Sequence, residues 1–334
     1  MSLLDFFQPD SDGDALAEAG ARWLMQAYAP DTTGFSAPMW SQMAASGWTA
    51  LRLPEACGGL DLDLSSCLPL VAELGAAGVR EPVMESALIA APLAARAGAE
   101  ADLLRGLAEG SRLCVLLDDP SLPVAGGDEI TDLLVYDADR STLTLCRATD
   151  APGAVWRSMD GRRMADRQPP ATGTVLLSGD EARQAVAAAR AERLACLATE
   201  GCGAMQRALG LTARYLSERQ QFGQPLAQFQ VLQHRLADML VELELTRSTT
   251  AILTAPDIPA ALRDSALAQI TRALRNVGEA AVQLHGGMGM TDEMEIGRVF
   301  KRMLHLASAL GGETAPRGRL TRALAARIEQ EHRP

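Results

Sequence analysis

The order in which helix-type and strand-type patterns follow one another most constrains how this chain can fold. Up to residue 111, apolar residues recur at helical spacing, as in segments 15–28 and 66–77. Between residues 112 and 179 lie four short β-prone runs, LCVLL, DLLVYD, TLTLCRA and TGTVLLS. They are separated by the turn sequences DDPSLPVAGGD, DADRS and DGRRMADRQPP. From residue 180 the helical spacing returns. We therefore predict a mainly α fold with an N-terminal helical domain (1–111), a shortened β middle domain (112–179) and a C-terminal four-helix bundle domain (180–334).

This order of patterns excludes several enzyme folds. Strand and helix patterns do not alternate, so neither a doubly wound sheet nor a TIM barrel is expected. The sequence contains no GxGxxG after a strand pattern, no GxxxxGK[ST] and no GxSxG motif. We therefore expect any chemistry to lie in the helical parts of the chain.

Composition narrows the kinds of partner. The chain has 42 acidic and 31 basic residues and a formal net charge of −11, which argues against general binding to nucleic acids or anionic membranes. The cysteines form no CxxC pair and the histidines lie far apart, so we expect no metal site and no disulfide framework. No apolar run approaches the roughly 18 residues of a membrane span, and the first residues are acidic where an export signal is basic. A cytoplasmic protein with reduced cysteines is expected.

The C-terminal part carries three strong helix patterns. Residues 182–219 form an Ala-rich run, in which the sequence GCG at 201–203 is expected to bend or break the helix. Regularly spaced apolar residues between 229 and 243 predict one buried helix face, and those between 262 and 284 predict another. The two stripes exceed what the small sheet can cover, so we expect a bundle that also packs on other subunits.

The segment 213–239 contains the first candidate binding residues. Arg219 offers a rigid fork of donors and Phe222 a flat apolar face, ahead of a Phe-Gly-Gln-Pro break between helices. A helix restarting near Leu226 would aim backbone N–H groups at the same place. This combination suits a heterocycle that bears phosphate. An ordinary corner between helices, with a solvated Arg219, is the alternative.

The segment 283–302 contains the second set. Gly286 and Gly287 follow a helix and would let a ligand approach the backbone, although a simple helix stop explains them equally well. Gln283, one turn earlier, can both donate to and accept from the edge of a heterocycle. Other polar residues are not expected to be catalytic. His234 and His285 are expected to pack or to contact the bound heterocycle, and Asp292 and Glu293 to cap the following helix.

Together, the two segments resemble the signatures of the FAD-dependent acyl-CoA dehydrogenase family. The family's R-x-x-F-G motif is matched by Arg219, Phe222 and Gly223, and its Q-x-x-G-G motif by Gln283 and the two glycines that follow it. In that family the motifs bind the pyrophosphate and adenine end of FAD, largely across a subunit interface. The resemblance implies FAD as cofactor, with these contact residues: Arg219, Gln221, Phe222, Gln230, Gln283, Gly286 and Gly287.

The stretch MTDEMEIGRVFKR at 290–302 refines the resemblance. It is similar to the small subunits of two-component dehydrogenases, such as the pimeloyl-CoA type, and related heteromers act on steroid side-chain thioesters. The resemblance therefore implies an FAD-binding subunit that dehydrogenates a CoA or carrier thioester between Cα and Cβ, in lipid or steroid catabolism. It also implies a second acyl-CoA dehydrogenase-like subunit, in a heterodimer or heterotetramer, and an electron-transfer flavoprotein as acceptor.

The sequence departs from the family pattern in two places. The middle domain is short and lacks the T-E-P-x-A-G-S-D segment. In addition, Gly312 stands where the family's usual catalytic glutamate is expected, and Glu313 comes one residue later. Because one helical residue turns a side chain by about 100°, Glu313 is expected to point elsewhere. Some members carry the base on the long helix after the sheet, where Glu192 is one residue out of register and Glu200 is the next candidate.

Three hypotheses follow from these mismatches. In the first, this chain binds FAD and its partner subunit supplies the catalytic carboxylate. In the second, the chain is a self-sufficient homo-oligomeric dehydrogenase that uses Glu313 or Glu192 as base. In the third, it is a non-catalytic structural subunit that completes its partner's flavin pocket.

Overall fold

A computed structural model describes residues 11–29, 34–150, 153–255, 258–290 and 294–331. Helices precede and follow a region of short strands between residues 114 and 178, which confirms the predicted mainly α fold and its order of patterns. Asp292 and Glu293, predicted to cap a helix, lie outside the described residues.

The N-terminal region is helical, as the apolar spacing predicts. Ser36 begins the second helix, since its Oγ accepts a hydrogen bond from the Met39 N–H and Pro38 occupies the first turn. Residues Met84–Ala90 are π-helical and almost entirely buried, and an α-helix continues directly from them. The helices are α1 (Ser11–Ala27), α2 (Ala37–Ala45), α3 (Leu64–Ala77), α4 (Ala91–Arg96) and α5 (Ala101–Ala108).

The main sheet contains the four β-prone runs predicted from the sequence. Strand β1 pairs with β3 in parallel, and β3 to β4 and β4 to β7 are antiparallel, which gives the order β1-β3-β4-β7. Leu133 and Leu143 are fully buried on it. A second sheet has the order β2-β6-β5. The strands are β1 (Cys114–Leu117), β2 (Val124–Ala125), β3 (Asp132–Asp137), β4 (Thr142–Arg147), β5 (Val155–Arg157), β6 (Arg163–Ala165) and β7 (Thr174–Ser178).

The second sheet was not expected from the sequence. Strands β2 and β6 lie in the segments DDPSLPVAGGD and DGRRMADRQPP, which the sequence analysis assigns to turns. They are two and three residues long. Strands of this length carry too few positions for an alternating pattern to be recognised.

The C-terminal region begins with one continuous helix, so the predicted break at GCG is wrong. A Cβ atom added to Gly203 would lie 1.8 Å from the Ala72 carbonyl oxygen, and one added to Gly75 would lie 2.1 Å from that of Glu200. The glycines therefore let the backbones of α3 and α6 touch where they cross. The helices are α6 (Gly179–Glu218), α7 (Gln230–Leu253), α8 (Ala260–His285), α9 (Glu295–Ala309) and α10 (Thr314–Glu331), and a short hairpin joins β8 (Gln220–Gln221) to β9 (Gln224–Pro225).

The described residues divide into two compact units, with α3 and α6 running through both. One unit consists of residues 71–78 and the chain from 194 onward, and the other of the remaining residues up to 193. In the first unit, α8 packs against α7, α9 and α10. Its predicted face is buried at Ile270 and Leu274, whereas Leu262 is exposed. The two boundaries predicted between the three domains, at residues 111 and 179, stay predictions.

Candidate functional site

The two segments singled out in the sequence meet at the ends of α6 and α8. The ring of Tyr215 stacks on that of His285, with centroids 4.4 Å apart and planes 25° from parallel. The Nδ1 of His285 donates a hydrogen bond of 2.8 Å to the Ala281 carbonyl oxygen, and the residue is buried. Burial lowers the pKa of His285, more than this bond raises it. The His285 ring is thus neutral and packed, which is one of the two roles expected for it.

Immediately after α6, the chain forms a tight hairpin that presents Phe222 to solvent. Phe222 and Gly223 form the two-residue turn, with φ values of +53° and +81°. Glycine adopts this conformation freely, but in phenylalanine it costs about 1–2 kcal/mol. The Phe222 side chain is 87% exposed and meets only the edge of Phe229, at a centroid distance of 6.0 Å, among the described rings. The hairpin therefore holds an aromatic side chain outward at a cost to the backbone.

The hairpin itself uses one backbone N–H group at the predicted helix restart. The Leu226 N–H donates to the Arg219 carbonyl oxygen at 2.9 Å and closes the hairpin. The next α-helix begins at Gln230, after a single 3₁₀ turn at Leu226–Gln228. The α-helix therefore begins four residues after the predicted restart near Leu226, and anion binding by N–H groups at this helix start stays a prediction.

The polar side chains around the hairpin are available to a ligand. Arg219, Gln221 and Gln230 are all exposed. None of the three side chains forms a hydrogen bond or an ion pair with another described residue. A guanidinium group with no partner among the described residues suits bidentate binding of a phosphate.

The end of α8, where His285 stacks on Tyr215 of α6, offers open backbone. Gly286 has a φ of +65° and its N–H donates to the Gln283 carbonyl oxygen, which is the geometry of a helix stop. A Cβ atom added at Gly286 or Gly287 would meet no atom within 4 Å. Gln283 is exposed one turn earlier. The described residues therefore leave room for a ligand at both glycines, while the positive φ by itself explains why position 286 is a glycine.

The Arg219 guanidinium, the outward Phe222 ring and the open backbone at 286–287 fit a ligand with a pyrophosphate and an aromatic ring system. The guanidinium can pair with phosphate oxygens, and an amide such as that of Gln283 can bind a heterocycle edge. Among the described residues, no cluster of three or more His, Cys, Asp or Glu side chains is arranged to bind a metal ion.

Glu313 does not lie on a helix. It follows Gly311 and Gly312, whose φ values are +95° and +64°, and α10 begins at the next residue. The expected helical rotation between positions 312 and 313 therefore does not apply, because these residues form a turn. The Glu313 carboxylate pairs with Arg317 at 2.7 Å and its side chain is 30% exposed.

Glu192 lies on α6 and is held by two arginines. Both oxygens of its carboxylate accept hydrogen bonds of 2.9 Å from Arg52, and Arg96 approaches at 3.4 Å. Burial alone would raise the pKa of Glu192, but the bonds and charges of Arg52 and Arg96 outweigh burial and lower it. A carboxylate with a lowered pKa, occupied by a bidentate partner, is a weak proton acceptor.

Glu200 is buried and forms an ion pair with the buried Arg302 of α9. The arginine partners of Glu192 and Glu200 were missed by sequence reasoning. They lie 140 and 102 residues from their glutamates, and no local pattern relates positions so far apart.

Comparison with known proteins identifies the family. The family model described as acyl-CoA dehydrogenase, N-terminal domain, matches residues 14–110, and the model of the C-terminal domain matches residues 182–325. The acyl-CoA dehydrogenase IpdE2 of Mycolicibacterium smegmatis is 34% identical over 292 residues, which cover 86% of this chain and 88% of the relative. The chain belongs to the acyl-CoA dehydrogenase family. Members of this family are FAD-dependent oxidoreductases.

Solved acyl-CoA dehydrogenase structures share the fold. The steroid acyl-CoA dehydrogenase Tcur3481–Tcur3483, in a G363A variant, aligns with a TM-score of 0.80 and 25% identity over 95% of this chain and 99% of that chain. The ChsE4–ChsE5 complex of Mycobacterium tuberculosis aligns with a TM-score of 0.81 and 20% identity, over 97% of this chain and 99% of that one. Every helix in the described parts of this acyl-CoA dehydrogenase is too short or too polar to cross a bilayer.

Proposed function

We propose that this chain is the FAD-binding subunit of a heteromeric acyl-CoA dehydrogenase whose partner subunit supplies the catalytic base. The observation that carries the proposal is the hairpin at 219–226 beside the end of α8. Arg219 and Phe222 are exposed on it; among the described residues Arg219 has no ion-pair partner, and the Phe222 ring meets only the ring of Phe229. Residues that bind a group across a subunit interface are expected to be exposed and unpaired when one subunit is viewed alone.

The proposed reaction removes one proton and one hydride from a CoA or carrier thioester. A carboxylate takes the proton from Cα, a double bond forms between Cα and Cβ, and the hydride leaves Cβ. FAD, when bound, accepts that hydride. We propose an electron-transfer flavoprotein as the oxidant that returns the cofactor to its starting state, so that two electrons leave the complex in each turnover.

This chain's contribution is to bind and orient the cofactor. Arg219 would pair with the pyrophosphate through its guanidinium, and Phe222 would cover an apolar face of the ligand. Gln283 would bind the edge of the adenine, and Gly286 and Gly287 would admit it close to the backbone. Gln221 and Gln230 complete the set with exposed amide groups.

The state of three glutamates supports a base in the partner subunit. Glu192 is bonded to Arg52 through both oxygens, and Glu200 is paired with Arg302 in the interior. Glu313 is partly exposed in a turn and pairs with Arg317. None of the three combines the burial and the absence of a cationic partner that raise a carboxyl pKa toward neutrality.

We propose a steroid side-chain thioester as the substrate class. The support is the alignment with the Tcur3481–Tcur3483 steroid acyl-CoA dehydrogenase, together with the resemblance of residues 290–302 to small subunits of such heteromers.

A visible absorption spectrum of the flavin tests whether assembly with a partner is needed for FAD binding. The chain alone should be colourless, and co-expression with an acyl-CoA dehydrogenase-like gene from the same locus should give a yellow complex.

The same measurement separates the alternatives. A yellow, active chain on its own would establish a self-sufficient homo-oligomer and overturn the heteromer. A yellow complex in which Arg219→Ala changes neither flavin content nor turnover would leave this chain a structural subunit.

A further inference from the structure

A stacked pair of rings joins the two segments of the proposed cofactor site. Tyr215, in the last turn of α6, stacks on His285, the last residue of α8, with ring centroids 4.4 Å apart and planes 25° from parallel. His285 is 4% exposed, so Tyr215 covers one face of a buried ring. Two helix ends that are far apart in the sequence therefore meet through these side chains.

On the α6 side, backbone hydrogen bonds tie the hairpin to Tyr215. The Tyr215 carbonyl oxygen accepts the Arg219 N–H at 2.8 Å, and the Arg219 carbonyl oxygen accepts the Leu226 N–H at 2.9 Å. The hairpin that carries the Arg219 and Phe222 side chains is thus attached to the residue whose ring is stacked. A displacement of Tyr215 would displace the hairpin with it.

On the α8 side, the turn that carries the two open glycines is packed on His285. The Nδ1 of His285 is fixed by its bond of 2.8 Å to the Ala281 carbonyl oxygen. The 3₁₀ turn Gly286–Met290 follows directly and folds back on the end of α8. A Cβ atom added to Gly289 would lie 3.1 Å from the His285 Cβ. His285 therefore fixes the position of this turn.

We propose that Tyr215 and His285 are positioning residues of the cofactor site. Their stack holds the Arg219 guanidinium and the backbone at 286–287 at the spacing that one FAD molecule needs. This inference rests on the proposed function, because FAD is the ligand that both segments share. Without the stack, two separately mobile segments would have to be ordered around the ligand, and that ordering opposes binding.

The arrangement requires a neutral His285. Burial lowers the pKa of His285, and the bond to Ala281 raises it by less. Tyr215 is the titratable side chain that faces the imidazole, and no charged side chain among the described residues adds to the shift. Protonation would place an N–H on Nε2, which forms no hydrogen bond with a described residue. Acid should therefore loosen the stack and weaken cofactor binding.

Amide hydrogen exchange tests the coupling in the flavin-free full chain. Tyr215→Ala should raise exchange at 219–226 and at 286–290 together, by at least about threefold, whereas Tyr215→Phe should leave both segments at the wild-type rate. If Tyr215→Ala does not fold, Tyr215→Leu replaces it, since leucine fills the space without a flat face. An increase confined to one segment, or an equal increase in the alanine and phenylalanine variants, would overturn the proposal.

Flavin retention at different pH values tests the neutral imidazole. Bound FAD in the assembled complex should fall at least about threefold between about pH 7.5 and about pH 5.0. His285→Phe keeps a flat ring that cannot be protonated, so its retention should change little with pH. His234→Gln is the control, because it removes an exposed histidine of α7 and should keep the acid dependence of wild type. Tyr215→Ala should weaken retention roughly 3- to 10-fold, and Tyr215→Phe should restore it.

The outcomes separate this inference from the proposed function. An equal acid loss in His285→Phe and wild type, or no acid loss in wild type, would overturn the role of His285. Disappearance of the acid loss in His234→Gln would do the same. If wild type binds no FAD at any pH, the proposed function fails, and hydrogen exchange in the flavin-free chain still decides whether the stack couples the two segments.

Discussion

Arg52 donates hydrogen bonds of 2.9 Å to both carboxylate oxygens of Glu192, although the two residues are 140 positions apart in the sequence. Arg52 also donates to the Leu88 carbonyl oxygen at 2.6 Å, which fixes its guanidinium between the π-helical segment and α6. The side chains are 7% and 19% exposed. The pair joins parts of the fold that are distant in sequence, and this geometry leads us to expect a structural role for Glu192.

Glu192→Gln should therefore lower stability more than turnover. Breaking a largely buried ion pair costs about 3–5 kcal/mol, and the lower end applies because glutamine still accepts one hydrogen bond. Turnover per bound flavin should stay within a few-fold. Arg52→Leu is the control, since it breaks the same pair without touching the carboxylate. A loss of turnover by about 10²–10⁴-fold at unchanged stability would instead identify Glu192 as the base.

The stability that the Glu192 carboxylate contributes should decrease as the pH falls. The pKa of Glu192 is lowered in the folded chain, so its contribution to stability is complete above the ordinary value of 4.5. That contribution is lost as the pH falls through the lowered pKa. The difference in unfolding free energy between wild type and Glu192→Gln should thus be constant from pH 8 to about pH 5.5 and shrink toward pH 3. Urea titrations at each pH measure it, and a difference that grows on acidification would contradict the pairing.

Glu313→Gln tests the other carboxylate. We expect turnover of the assembled complex to stay within a few-fold, because an exposed pair with Arg317 is worth about 0–1 kcal/mol and the base lies elsewhere. Arg317→Gln should give the same small effect. If turnover falls by about 10²-fold or more while FAD stays bound, this chain is the catalytic subunit.

Arg219→Ala tests the cofactor contact. Removal of one charge-assisted phosphate contact should weaken flavin retention by roughly 10- to 100-fold. Arg214→Ala is the matched control, because Arg214 is exposed one turn earlier and pairs with Glu218. Flavin per complex after dialysis is the measurement, and equal retention in both variants would exclude Arg219 from the site.

Two glycines of α6 should respond in opposite directions to alanine. Gly203→Ala should destabilise the fold by at least about 2 kcal/mol, because its Cβ would lie 1.8 Å from the Ala72 carbonyl oxygen. Gly210→Ala, in the same helix with no atom within 4 Å, should stabilise it by about 0.5–1 kcal/mol. Thermal unfolding of the two variants checks both signs, and similar changes would contradict the close crossing of α3 and α6.

Elements marked by a continuous local pattern were predicted from the sequence, whereas features that depend on residues distant in the sequence were missed. The four β-prone runs were recognised from four to six consecutive strand-forming residues between turn signals, and the α8 stripe from apolar spacing kept over several turns. The GCG sequence was misread, since a glycine that breaks a helix and one that admits a neighbouring helix look identical until Ala72 is in place.

In the candidate site, too, residues in local motifs were predicted and residues with distant partners were missed. Arg219, Phe222 and the pair Gly286–Gly287 belong to short motifs, and a motif can be read locally. Arg52 and Arg302 gave no local signal, since each acquires its role only through a glutamate on another helix. The sequence also does not reveal that a two-residue turn at 222–223 brings the Arg219 carbonyl oxygen to the Leu226 N–H, which is therefore not offered to a ligand.

The turn at Phe222 also bears on how the subunit is made. A newly synthesised chain carries this ring in water, on a backbone conformation that phenylalanine disfavours, until another surface covers it. Each uncovered copy is thus a source of nonspecific association, and the risk grows with the excess of this chain over whatever covers it. Matched synthesis of the subunits, as from adjacent genes on one messenger RNA, would keep that excess small.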